Sequence, residues 1–476
     1  MAYESCVNCE VHEQKSLEIN KIKPILGSVN LRISLVAIVR HKKKANKPAP
    51  IECEVDVHDL SHEAQGVSRS QDKVLFVPGA LPTETIKVKI DQQKRHFNQG
   101  QLIEILKSSD ERTQPECLHY ERCGACQLQH LQSRKQIGYK QNTLDQQLKR
   151  QLKLKAVPWM DNIESDPFGY RRRARLGVRY RNKTDEIILG FREEANSHLT
   201  AITDCPVLEP KLNKLIQPLH GLIDDLHAKS RITQVELISG DHDAAVVIRY
   251  LKTLQQSDKQ RFEDWGREHQ VQVWVQGDHQ LDLLYSKNNK PLSYGVDGCE
   301  LSFDVKDFIQ GNAQVNQSMV EQALNWLDLK SDDQVLDLFA GIGNGNFTLP
   351  LAKKVNKVYA VEGEKAMAAR IDENAAANNI SNIEASAMNL ADEELLFKLP
   401  KVDAILLDPP RAGASVLMPW LVKQSSRILY IACDPSSLVR DAQPLLDAGF
   451  KLKKMCVMDM FPQTKHVESM ALFIKD

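Results

Sequence analysis

Asp337-Leu-Phe-Ala-Gly341-Ile-Gly343-Asn-Gly345-Asn346-Phe347-Thr348 joins the end of a short apolar strand, Gln334 to Phe339, to a glycine loop that opens a helix. Glycines there let backbone N–H groups come close to a ligand, so this stretch reads as the first turn of a nucleotide-binding α/β unit. The pattern repeats outward from it. From Asp332 to Asp476 apolar strands at 357–361, 404–407 and 427–432 alternate with helical segments after Phe347 and from Glu364, which predicts a doubly wound, Rossmann-like sheet. The 357–361 strand leads to Glu362, an acidic residue placed to accept hydrogen bonds from both ribose hydroxyls. The spacing from loop to carboxylate suits NAD and S-adenosylmethionine alike.

Two further strand ends carry chemistry. Leu406-Leu-Asp408-Pro-Pro-Arg411-Ala-Gly413 ends a strand in a carboxylate and a rigid turn. Leu429-Tyr-Ile-Ala-Cys433-Asp-Pro435 is an apolar strand that delivers a thiol to the carboxyl edge of the sheet, with a proline that forbids its continuation. A buried structural cysteine is the bland reading of that position; an ionised thiol there is a nucleophile.

The chain has 476 residues, 42% hydrophobic and 26% charged, with a net charge of −1, and this length predicts several domains. With so little net charge, any nucleic-acid surface must be a local patch. No run approaches the roughly 18 apolar residues of a membrane span, so no membrane partner and a cytoplasmic location are expected. Ten cysteines in such a chain suit ligands, nucleophiles and core positions better than a disulfide framework.

Residues 1–50, with Cys6-x-x-Cys9 and the basic run Arg40-His-Lys-Lys-Lys44, read as a flexible extension. From Ile51 short strands at 51–57, 73–77, 85–90 and 100–105, split by Gly and Pro turns, predict a small OB-type β-barrel over 51–108. Residues 109–300 form a central α+β region with two signals. Cys117-x5-Cys123-Gly-Ala-Cys126 groups three thiols around Gly124, and Cys205 in Thr203-Asp-Cys205-Pro-Val is a candidate fourth; four thiolates suit a 4Fe-4S cluster or zinc. Tyr170-Arg-Arg-Arg173-Ala-Arg175-Leu-Gly-Val-Arg179-Tyr-Arg181 alternates as a strand, putting Arg171, Arg173, Arg175, Arg179 and Arg181 on one face as a stripe for a phosphate backbone. A helical segment, about 133–152, lies between the two.

Gly66-Val67, Phe76-Val-Pro-Gly79-Ala-Leu-Pro82 and Lys94-Arg-His-Phe97 resemble the TRAM domain of RNA-modifying enzymes. Phe308-Ile-Gln310-Gly-Asn312, the glycine loop, the Asp408 and Cys433 motifs and His466-Val-Glu468-Ser-Met470 together resemble the RNA uracil-C5 methyltransferase family, from about residue 51 onward. Within that family the chain is most similar to the bacterial branch that acts on 23S ribosomal RNA and carries a TRAM domain and a 4Fe-4S cluster. The resemblance implies a class I methyltransferase domain over 301–476, S-adenosylmethionine as methyl donor and a monomer as the working form. It implies Cys433 as nucleophile and Glu468 as general base. It also implies Gln310, Phe339, Glu362, Asn389 and Asp408 as contacts to the methyl donor, Phe308 against the target base, and Cys117, Cys123, Cys126 and Cys205 as cluster ligands. Another RNA such as tRNA, or a cytosine-C5 RNA methyltransferase, are the alternatives in substrate. In one respect the chain departs from the pattern. The family reads Gly-x-Gly-Asn-Phe-Thr, whereas Gly341 to Thr348 is two residues longer, so Asn344 or Asn346 takes the asparagine's place. The chemistry further predicts a thiol whose surroundings lower its pKa, since the thiolate is the nucleophile.

Overall fold

The computed structural model describes residues 49–475 apart from Ala195, His279, Ile342 and Gly343. The expectations placed on residues 1–48, including Cys6, Cys9 and the basic run, lie outside the described residues.

Six strands, Ile51–Asp56 (β1), Asp59–Leu60 (β2), Gln65–Ser70 (β3), Lys73–Pro78 (β4), Thr85–Gln93 (β5) and Phe97–Lys107 (β6), form one sheet in the order β1-β5-β6-β4-β3-β2. Its pairs are antiparallel except β4 with β6. Alternation drives the fold: Ile86, Val88 and Ile90 of β5 face inward with Leu75 and Val77 of β4, all fully buried. Strands β2 and β3 were not expected, because Gln65-Gly-Val-Ser-Arg-Ser carries little apolar signal. Glu84, fully buried, takes the Nε–H of Arg112 at 2.5 Å and the N–H of Leu81 at 2.8 Å, fixing the barrel to the segment that follows it.

Helix α1 (Ser133–Leu152) buries Ile137, Leu144, Leu148 and Leu152, spaced as one helical stripe. That stripe meets the helix Pro435–Asp447 and the strand Lys451–Met458, in the same buried cluster as Ile405, Leu407 and Tyr430 of the last sheet. The helix thus packs against elements beyond residue 300, although in the chain it lies within the central segment. The central sheet runs β13-β12-β11-β10-β7-β8-β9. In chain order its strands are Arg173–Arg181 (β7), Glu186–Arg192 (β8), Leu199–Ala201 (β9), Ile232–Ser239 (β10), Ala244–Tyr250 (β11), Gln272–Gln276 (β12) and Leu281–Tyr285 (β13). A hairpin, Leu292–Val296 (β14) and Cys299–Phe303 (β15), then packs into the same core as the sheet that follows.

That last sheet has the order β18-β17-β16-β19-β20-β22-β21, with strands Gln334–Leu338 (β16), Lys357–Glu362 (β17), Ile383–Ala387 (β18), Ala404–Leu407 (β19), Arg427–Ala432 (β20), Lys451–Met458 (β21) and Glu468–Ile474 (β22). The pairs from β18 to β20 are parallel, and β22 enters antiparallel between β20 and β21. Fully buried Val335, Leu336, Ile405, Leu406, Ile428 and Leu429 make the near-continuous apolar strands that a sheet covered on both faces requires. Strand order reverses beside β16, which places a ligand crevice at the carboxyl ends of β16, β17 and β19.

Candidate active site

Register puts together two of the side chains singled out in the sequence. Ala432 at the end of β20 pairs with Ser469 of β22, so the next residue on each strand toward that edge is Cys433 on one and Glu468 on the other. Because β22 is antiparallel, its first residue falls at the edge where the parallel strands end. Asp434 then caps the helix Pro435–Asp447, its carboxylate accepting the Ser437 N–H at 2.9 Å, and this fixes the backbone carrying Cys433. Asp408, following β19, accepts from Gln310 Nε2 at 3.3 Å. Gln310, Asp408 and Glu468 are all buried.

This site is buried and rich in carboxylates. Burial, with Asp408 nearby, pushes Glu468 up to about 8, opposed by the Lys140 ammonium. Burial also raises Asp408 to about 7 and, with Asp408 and Glu362 adding to it, Asp337 to about 7. Burial and the carboxylates of Glu468, Asp408 and Asp434 push the Cys433 thiol up to about 12, against the opposing Arg411 guanidinium. The expectation of a lowered thiol pKa fails for the free protein, because burial, reinforced by three acidic groups, outweighs one arginine beside the sulfur.

Glu362 ends β17, and its carboxylate accepts the N–H of Gly341 at 2.9 Å and of Glu364 at 3.1 Å. A Cβ at Gly341 would lie 2.5 Å from Glu362 Cγ, so only glycine lets the loop reach this carboxylate. Phe339 holds φ at +65°, a left-handed backbone uncommon for an aromatic residue, at the point where the strand turns into the loop. The two asparagines of the longer loop differ. Asn346 exchanges hydrogen bonds with Asn316 at 2.8 Å in both directions and accepts from Tyr294 at 3.2 Å. Asn344 is fully buried, and its side-chain amide has no partner among the described residues. Asn389 is exposed, its side chain accepting the N–H of Ala391 at 3.0 Å within its own loop.

The arginine stripe divides. Arg173, its side chain 15% exposed, bonds Glu236 at 2.7 Å and the carbonyls of Val305 and Asp307, so it braces the turn that presents Phe308. Arg175, 63% exposed, shares Glu236 at 3.0 Å. Arg171 precedes β7, and its guanidinium lies 5.7 Å from the Phe461 ring centroid. Phe308 is 44% exposed, available to a ligand. Lys140 of α1, buried, holds Asp459 at 2.7 Å and the Phe461 carbonyl at 3.1 Å beside Glu468. Sequence reasoning gave it no role; the available signal was a lysine in line with Ile137, Leu144 and Leu148. His466 is pushed down to about 4 by burial and by Arg411, Lys140, Arg171 and Lys465, so the site is lined on this side by cations.

Of the four cysteines, Cys205 is buried and Cys117, Cys123 and Cys126 are half-buried. Burial and the other three thiols raise Cys205 to about 12, and burial with Cys123 and Cys117 raises Cys126 to about 11. The four sulfurs therefore share one neighbourhood. A Cβ on Gly124 would meet Glu194 N at 2.7 Å, which is how the three-cysteine loop docks on the segment after β8. No group of three or more His, Cys, Asp or Glu among the described residues is close enough to hold a metal ion. As a donor set, four half-buried or buried thiols gathered so that Cys117, Cys123 and Cys126 all raise Cys205 fit a cation that would relieve them.

A parallel sheet with one antiparallel strand inserted near its edge, a glycine turn on an acidic strand end, and a thiol paired with a carboxylate define a group-transfer enzyme of the α/β class. The family model described as tRNA (Uracil-5-)-methyltransferase matches residues 133–476, and that of the TRAM domain matches 52–103. The chain belongs to the uracil-5-methyltransferase family and carries a TRAM domain. It is 40% identical over 438 residues to the 23S rRNA (uracil(1939)-C(5))-methyltransferase RlmD of Shewanella sediminis, covering 91% of this chain and 98% of that one. To the protein of the same name from Vibrio cholerae strain O395 it is 40% identical over 424 residues, 88% of this chain and 95% of that. Among solved structures, Pyrococcus abyssi tRNA (uracil-54, C5)-methyltransferase with S-adenosyl-L-homocysteine superposes at a TM-score of 0.69, with 20% identity, over 89% of this chain and 100% of that one, a likeness of fold.

Proposed function

We propose that this protein transfers a methyl group from S-adenosylmethionine to C5 of a uridine in 23S ribosomal RNA through a covalent adduct with Cys433. The observation that carries the reading is the β20–β22 register, which sets a thiol beside a buried carboxylate at the ligand edge of the sheet. The relatives' names supply the ribosomal RNA, and the cations around His466 suit its phosphates. Uracil C5 is a weak nucleophile. Cys433, once its proton has left, adds to C6 and makes the ring an enolate whose C5 takes the methyl group from the sulfonium. Glu468 as carboxylate then removes the C5 proton, the C5–C6 double bond re-forms and the thiolate leaves. The target must be out of its stack for both atoms to be reached, and exposed Phe308 is the ring for the base to pack on.

Gln310, Phe339, Asn344 or Asn346, Glu362, Asn389 and Asp408 are the residues proposed to hold the methyl donor, and Cys117, Cys123, Cys126 and Cys205 to hold a 4Fe-4S cluster. The domain division at 51–108, 109–300 and 301–476, a monomeric working form and a cytoplasmic location belong to the same proposal. Among the described residues no helix is long and apolar enough to cross a membrane.

The test is a pair of variants incubated with ribosomal RNA and methyl-labelled donor. Glu468→Gln keeps the nucleophile but cannot take the C5 proton, so a labelled protein–RNA band resistant to denaturation should accumulate. Cys433→Ala should form no such band and lose turnover; turnover retained in Cys433→Ala would sink the mechanism. Parallel tRNA and cytosine-containing substrates decide the RNA and the base.

A further inference from the structure

A polar cleft of ≈ 310 Å³ opens where the three-cysteine loop, the start of α1 and the loop from Phe461 to His466 meet. Its floor is built and rigid. Gln463, 1% exposed, accepts from Gln136 Nε2 at 2.9 Å and donates to Ser133 Oγ at 3.0 Å, and its backbone carbonyl takes the N–H groups of Gln127 and Leu128 at 3.0 Å. Gln129, 4% exposed, accepts the Cys117 N–H at 3.1 Å. One wall is the half-buried ring of Phe168, seated on the central core. The rim is exposed and polar. Arg134 bonds Gln132 Oε1 through Nε and Nη2 at 3.2 and 3.0 Å, while Gln114 and Glu116 make no hydrogen bond among the described residues.

An aromatic wall, an amide and a carboxylate at the edge, and a guanidinium at the rim are the groups that bind an unstacked nucleotide: ring on ring, acceptor to base edge, cation to phosphate. The volume sits at the lower limit of small-ligand sites, of order 300 Å³, which suits a single nucleotide. Position supports the same ligand. Ser133 lies at the cleft and Lys140 beside Glu468, two turns along one helix, or about 10 Å at 1.5 Å per residue. That separation is short enough for one RNA strand to reach both places.

We propose that this cleft takes a second unstacked nucleotide of the RNA whose target uridine fills the active site, with its base on Phe168 and its phosphate on Arg134. Glu116 makes a base with an exocyclic amino group the preferred occupant. The proposal rests on the RNA-methylating reading above. The test is a scan of an RNA substrate in which each nucleotide flanking the target is made abasic in turn, read both by KM and by equilibrium binding. In the unmodified protein one flanking position should weaken binding about tenfold, the scale of one base–aromatic stack. In Phe168→Ala, RNA should bind about tenfold more weakly and the same abasic position should have no further effect, while Phe168→Trp should restore the sensitivity. If Phe168→Ala does not fold, Gln114→Ala with Arg134→Ala, both at the rim, should blunt the sensitivity instead. Insensitivity at every flanking position, or effects that simply multiply with those of the cleft variants, would overturn the cleft while leaving methylation intact. Failure of the unmodified protein to methylate any RNA would instead overturn the reading above, and the binding scan would still decide the cleft.

Discussion

Held up to about 12, the Cys433 thiol keeps its proton in the free protein, so reactivity must come with the substrates rather than precede them. Glu468 is placed oppositely: near 8, it exchanges its proton close to working pH. Resolution of the adduct should therefore accelerate as pH rises toward about 8 and level off above it, which single-turnover release of methylated RNA across pH 6–9 would measure. Stability runs the other way. Asp337, Asp408 and Glu468 have ordinary values of 3.8, 3.8 and 4.5 and folded values of about 7, 7 and 8, so between these limits the folded protein binds more protons than the unfolded chain. Their contribution is complete below about pH 4 and is lost as pH climbs through 8, at up to about 1.4 kcal/mol per pH unit for each group. Thermal melts of the free protein should fall from pH 5 to pH 8, and Glu468→Gln should flatten part of that slope. Cys433 and Asp408 were legible in sequence because each follows an apolar strand, whereas Glu468 was reached only through the family resemblance, since the strand it begins was not read from the pattern. Lys140 was not, since a lysine in a polar helix looks solvated until the helix is docked.

Among the elements, β7 shows why a periodic signal can name a face without naming its use. Its alternation is real: Ala174, Leu176 and Val178 are buried, and the arginines point the other way. Yet Arg173 spends its fork on Glu236 and two carbonyls, while Arg175 keeps most of its surface. Arg173→Met should cost about 2 kcal/mol of stability, below the full 3–5 of a wholly buried pair. Arg175→Gln should stay within about 0.5 kcal/mol of the parent and lower the salt slope of RNA binding by about one. Denaturant titration and binding at several salt concentrations separate the two; an unchanged slope for Arg175→Gln would make it a solvated charge. The barrel's β2 and β3 and the docking of α1 escaped sequence reasoning for a common reason. Polar strands and amphipathic helices are fixed by what they meet, which local pattern does not contain.

At the scale of the whole molecule, three bodies converge on one loop. Lys465 pairs with Glu63 of the barrel, Gln127 and Leu128 of the three-cysteine segment bond Gln463, and Glu468 follows at the start of β22. A cluster held by the four cysteines would stiffen this junction from behind. Protein purified without oxygen should carry about four irons per chain and absorb broadly in the visible. Cys205→Ser should lose that iron and melt lower, whereas stoichiometric zinc would replace the cluster in this account. The late entry of β22 has a consequence for biosynthesis. Strands β20 and β21 are made first but do not pair with each other, so each offers an open flank until β22 slides between them. Until β22 is in place each flank presents unpaired backbone groups to other chains, so its insertion guards solubility and, in the same step, brings Glu468 beside Cys433.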